Sequence, residues 1–142
     1  MLSDKQGFDT QSPEYDTKGS SHMVEGRGMN FDTLDNVLEL YPMFKTAKLL
    51  KTDTDGFEDK ILLGGQEYIK TAHPIIFLEY MPTADKKIFD YLREWKYSKA
   101  VFYDNFGNLL LTVDMENRGQ IDELINYIQG TSEVKYYDIA FY

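Results

Sequence analysis

Between residues 47 and 97, short apolar runs alternate with stretches whose apolar residues recur at helical spacing, and no other feature limits the fold so tightly. "AKLLKTD" (47–53) reads as a strand. "GFEDKILLGGQEYIK" (56–70) reads as one helix, with Phe57, Ile61, Leu62, Tyr68 and Ile69 on one face. "PIIFLEY" (74–80) is a nearly continuous apolar run, the pattern of a strand buried on both faces. "ADKKIFDYLREWKY" (84–97) is amphipathic through Ile88, Phe89, Leu92 and Trp95.

The pattern continues downstream. "KAVFYDN" (99–105) is a strand that "FGN" turns into "LLLTVD" (109–114). "RGQIDELINYIQG" (118–130) is a helix that aligns Ile121, Leu124, Ile125 and Ile128, with Gly130 at its C-terminal stop. "VKYYDIAFY" (134–142) is a last strand. Strands separated by helices at this spacing imply βαβ crossovers. The expected fold is α/β, with a mostly parallel sheet, an antiparallel edge among the last strands, and helices on both faces.

Residues 1–30 are polar and rich in Ser, Gly, Asp and Gln, and read as a loop or hairpin segment preceding the core. "KGSSHM" (18–23) within them resembles the scar of a cleaved tag and is read as native. Residues 31–142 then form the α/β domain. Its first piece, within "MNFDTLDNVLELYP" (29–42), is a short helix with Leu34, Val37, Leu38 and Tyr41 at helical spacing and Pro42 as its end.

Composition narrows the function classes. At 42% hydrophobic and 15% aromatic residues, the 142-residue chain has the makings of a folded core. It contains no Cys, so disulfides, thiolate metal sites and a cysteine nucleophile are excluded, and a reducing, cytoplasmic setting is expected. The formal net charge of −9 argues against nucleic acid and anionic membranes as partners. No apolar run approaches the ~20 residues of a membrane span, and "MLSDKQGFDTQ" is not a signal peptide.

The acids of "LLKTDTDGFEDKILLGG" (49–65) admit three readings. As a calcium loop with Gly56 at position six, Lys51 falls first and Leu62 twelfth, and both are wrong. As a helix start, Asp55 is the N-cap and Glu58, three residues on, completes a capping box. As a site, Asp53 stands at the C-terminal end of its strand, on the rim where open α/β sheets bind ligands. Glu79 and Asp104–Asn105 end two other strands and put further carboxylates on that rim. His73 precedes Pro74 in a helix-to-strand loop and reads as structural; His22 lies in a polar segment. "GRG" (26–28) follows no strand and carries no dinucleotide fingerprint, and neither a G-x-S-x-G elbow nor a P-loop is present.

The string "LLKTDTDGFEDKILLGGQEYI" followed by "PIIFLEYMP" resembles the FkbM family of S-adenosylmethionine-dependent methyltransferases. The family pattern runs apolar strand, Lys-Ile-Asp, any residue, an acid, Gly, an aromatic or Ala, and Glu. A helix and then a strand ending in Glu follow. "LSDKQG" (2–7), the Ser-rich 20–21, "TLD" (33–35) and "YDNFGNLL" (103–110) match in order. Thr52 departs from the pattern, standing where an apolar residue is usual.

The resemblance implies a partial Rossmann-like class I methyltransferase sheet from its fourth strand onward. The glycine-rich turn and the ribose-binding acid that hold the cofactor have no counterpart, so the chain is expected to be the C-terminal part of such a domain, inactive alone. It implies S-adenosylmethionine as cofactor and a hydroxyl of a small molecule or sugar as methyl acceptor. Asp53 would orient or deprotonate that hydroxyl, Glu79 would shape the acceptor pocket, and Ser20, Ser21 and His22 would lie on the acceptor side. Two other readings stand beside it. A non-catalytic α/β interaction module would associate, as a homodimer for example, through an exposed edge at the "AKLLKTD" strand. A Mg²⁺-assisted transferase, ranked last, would use Asp53, Glu79, Asp104 and Asn105 as ligands.

Overall fold

The computed structural model describes residues 2–15, 21–54, 56–81, 84–130 and 136–142. They form two compact units, Met1–Ala47 with Lys60–Ala72, and Lys48–Asp59 with His73–Tyr142.

In the first unit, β1 (Gly7–Tyr15) and β2 (Ser21–Phe31) pair antiparallel, from Gly7 opposite Phe31 to Tyr15 opposite Ser21, with an irregularity between Asp9 and Gln11. The helix α1 (Leu34–Leu40) follows. Thr33 is its N-cap and accepts a hydrogen bond from the Asn36 amide at 3.1 Å, while Leu34 and Leu38 are buried. Pro42 ends α1 as expected but opens a 3-10 helix, Pro42–Thr46, where its missing N–H costs nothing.

The single helix expected over 56–70 is two, α2 (Glu58–Gly64) and α3 (Gln66–Ala72). The break has a tertiary cause. The Asp35 carboxylate on α1 accepts from the Glu67 and Tyr68 amides at 3.1 and 3.0 Å, so a side chain from another helix caps α3. At Gly64 a Cβ would lie 2.0 Å from the Ser3 carbonyl oxygen, so the backbones approach as only glycine permits.

The second unit is a five-stranded sheet in the order β3 (Leu49–Thr52), β4 (Ile75–Tyr80), β7 (Tyr137–Phe141), β5 (Lys99–Tyr103), β6 (Leu109–Asp114). The expected strands are all present, but the sheet is not mostly parallel. Only β3–β4 is a parallel pair, and β4–β7, β7–β5 and β5–β6 are antiparallel. The βαβ logic holds for chain connections and fails for neighbours. The helix α4 (Lys87–Glu94) carries the chain from β4 to β5, which runs the same way but two places over. A short turn then forces β6 antiparallel to β5. The helix α5 (Arg118–Gly130) returns the chain past β5, and β7 fills the gap between β4 and β5 against both.

The helices α4 and α5 pack on one common face of this sheet. Phe89 of α4 is the hub, 5.4 Å from Tyr80 and 5.5 Å from Phe141 edge-to-face, and stacked on Phe102 at 6.2 Å. Such ring pairs add about 0.5–1.5 kcal/mol each beyond area burial. Ile121, Ile125 and Ile128 of α5 are buried, and Leu111 of β6 lines a shallow cleft with Leu124 and Tyr127. The other face alternates with this one: Leu49 is 61% and Ile75 48% exposed, and Phe77 is half-buried. The apolar run of "PIIFLEY" therefore does not mean double burial. Phe77 instead meets Tyr103 of β5, on the same face and one step along the register, with ring centroids 6.1 Å apart.

Candidate functional site

The loop from β3 to α2 is organised by Glu58. This carboxylate is 2% exposed and accepts from the Thr54 amide and hydroxyl, both at 2.8 Å, and from the Gly56 amide at 2.9 Å. Gly56 has φ +105°, a conformation L side chains rarely adopt. Glu58 thus folds the turn back on itself as a capping residue does, but as the first residue of α2 rather than its third. Asp55, the expected N-cap, lies outside the described residues.

Asp53 follows the end of β3, as expected, and its Oδ2 accepts from Lys51 Nζ at 3.0 Å. The two share a sheet face because strand residues two apart point the same way. The register places Lys51 beside Phe77 and Glu79 opposite Asp138 of β7. The hydrogen bond and charge of Asp53 raise the Lys51 pKa, with smaller contributions from Asp138 and Glu79. Burial pushes the Asp138 carboxyl up, Lys51 opposes this, and Asp53 adds to it. The rim thus gathers Lys51, Asp53, Glu79 and Asp138. Sequence reasoning named Asp53 and Glu79 and missed the other two. Period-two spacing from Asp53 pointed to Lys51; the strand order that brings β7 beside β4 has no local signal.

The remaining candidates are elsewhere. Asp104 is committed to its own hairpin turn and accepts from the Phe106 amide at 2.9 Å, the Asn108 amide at 2.8 Å and the Asn108 side chain at 2.9 Å. These bonds, led by the Asn108 side chain, hold its carboxyl below the usual range. Asn105 is exposed in the same turn. Ser21 and His22 are strand residues of β2, opposite Tyr15 and Glu14, and Ser20 lies outside the described residues. His73 is structural: at φ +46°, it donates from Nε2 to the Trp95 carbonyl at 3.1 Å and stacks on Tyr97 at 4.3 Å. Thr52, the departure from the family pattern, is 4% exposed, and its hydroxyl has no hydrogen-bond partner among the described residues.

Among the described residues no group of three His, Asp or Glu side chains could hold a metal ion, and no helix is long and apolar enough to cross a membrane. Lys51, Asp53, Glu79 and Asp138 lie on a half-exposed face, and three clefts of about 200–250 Å³ are lined by other residues. Comparison with known protein families, with curated proteins and with solved structures finds no match.

Proposed function

We propose that this chain is the acceptor side of a class I, FkbM-like methyltransferase domain, and that its rim of Lys51, Asp53, Glu79 and Asp138 receives a hydroxyl-bearing small molecule or sugar. The observation that carries this reading is the place of β7. The last strand lies reversed between two strands, β4 and β5, that run in a common direction. On this reading β7 is the antiparallel strand expected among the last ones, set inside the sheet rather than at its edge, and β3, β4, β5 and β7 take the places of the fourth to seventh strands of such a sheet. This is a fold-level argument, and the rim adds chemistry. A carboxylate at the end of β3 can accept a hydroxyl proton, and a neighbouring ammonium can fix an oxygen.

The test is a titration of ¹³C-carboxyl-labelled protein with a sugar and, separately, with S-adenosylmethionine. Saturable shifts at Asp53, Glu79 and Asp138 with the sugar, lost in Asp53→Asn, are expected. Silence at these carboxyls would sink the reading. Saturable binding of S-adenosylmethionine would overturn the expectation that this chain lacks the cofactor-binding part of such a domain.

A second reading, a protein-interaction module, is favoured by one observation. β3 ends the sheet and carries Leu49 at 61% exposure, so its outer edge could pair with the β3 of a second copy. Light scattering would show a dimer that Leu49→Lys dissociates; a monomer at all concentrations excludes it.

A further inference from the structure

We propose that the cleft between α4 and α5 binds the carboxylate of a small monoanionic molecule. The cleft has a volume of about 210 Å³ and belongs wholly to the second unit. Lys86, Asp90 and Arg93 line it from one side, at positions i, i+4 and i+7, and Arg118 and Asp122 from the other, with Phe89 among its apolar residues. Helical spacing brings each set to one face.

Arg93 makes this a built site rather than a loose collection of charges. Its side chain is only 9% exposed. Nε donates to the Met115 carbonyl at 2.6 Å and Nη1 to Asp90 Oδ1 at 2.7 Å, so the guanidinium plane is fixed before any ligand arrives. Nη2 has no partner among the described residues. A guanidinium held this way presents a planar pair of N–H groups, which matches a carboxylate. Across the cleft, the side chain of the exposed Arg118 has neither an ion pair nor a hydrogen bond among the described residues; only its amide is engaged, donating to the Glu116 carbonyl at 3.0 Å.

Charge decides between carboxylate and phosphate. Lys86, Arg93 and Arg118 against Asp90 and Asp122 leave one net positive charge. Arg93 is paired with Asp90 at 2.7 Å and Lys86 loosely with Asp122 at 3.9 Å. One unit suits a monoanion, and a dianion would meet Asp122 and a chain of net charge −9. The volume equals about seven waters at ~30 Å³ each, enough for a carboxylate with a short body.

The probes are sodium acetate and inorganic phosphate, titrated into ¹⁵N-labelled protein at constant ionic strength with chloride as the balancing salt. Acetate should give saturable shifts of the Arg93 Nε–H signal and of the amides of 118–122. Arg118→Ala, an exposed change, should weaken acetate about tenfold with the Trp95 fluorescence unaltered, the loss of one charge-assisted bond. Arg93→Lys keeps the charge, loses the fork and should weaken it comparably. Asp122→Asn should tighten it severalfold. Shifts that grow linearly, shifts matched by chloride alone, an Arg118→Ala variant that binds like the parent, or tighter binding of phosphate than of acetate would each overturn the proposal.

Discussion

Replacing Glu58 with Ala separates capping from chemistry in the "TDTDGFE" loop. The carboxylate is buried and accepts three hydrogen bonds, two from backbone amides and one from a hydroxyl. Bonds to a charged acceptor are worth about 1.5–3 kcal/mol each. They are not additive here. Gly56 is exposed and Thr54 half-buried, so once the carboxylate is gone water reaches some of the donors. The expected loss is therefore about 3 kcal/mol, near two bonds at the low end of the range. Glu58→Gln keeps one acceptor oxygen but turns an NH₂ toward an amide donor, and should lose about half as much. Urea unfolding followed by the only tryptophan reads this directly, because Trp95 is 6% exposed and lies in the same unit. With a urea m-value of ~2 kcal/mol per M, the Ala midpoint should fall by about 1.5 M at unchanged m. A shift below about 0.3 M, or the Gln variant falling as far as Ala, would refute the view that this carboxylate holds the loop.

Asp53→Asn should leave the urea midpoint unchanged, because the Lys51 pair is exposed on both sides at 57% and 56%, and such pairs contribute little. A large drop would mean that Asp53 is structural and not free to act on a ligand. Gly64→Ala should lower the melting temperature more than Gly65→Ala does. Its Cβ meets the Ser3 backbone oxygen at 2.0 Å, whereas at Gly65 it meets the movable Leu34 side chain at 2.6 Å, and calorimetry would rank the two. Burial, with help from the Asp85 charge, pushes the Tyr80 phenol up to about 12. Its neutral form is favoured in the fold, so the associated stability is intact below pH 10 and declines as pH rises to about 12. Ultraviolet titration should show one phenol ionising late, and Tyr80→Phe should flatten stability across that window.

How far the sequence could be read follows from the range of each interaction. Residue periodicity is local, so the strands, α4 with Ile88, Phe89 and Leu92, and α5 from Arg118 to Gly130 were legible. The helix over 56–70 failed because its break depends on Asp35, more than thirty residues away, reaching the Glu67 and Tyr68 amides. The parallel sheet failed for a related reason. Crossover rules state how β4 and β5 are connected; they do not state that β7 will be placed between them. That one placement also completes the rim, since it alone puts Asp138 opposite Glu79 and near Lys51. The candidate site was half-readable because Asp53 and Glu79 each end a strand marked by its own local sequence, whereas Lys51 shows only through its spacing from Asp53 and Asp138 joins them only through the sheet. A double-mutant cycle on Asp53 and Asp138, read at the Lys51 ammonium, tests this link. If the sheet joins them as the register indicates, Asp138→Asn should lower the Lys51 pKa less in an Asp53→Asn background than the Asp53 change does alone, because Asp53 holds the hydrogen bond and Asp138 acts only by charge.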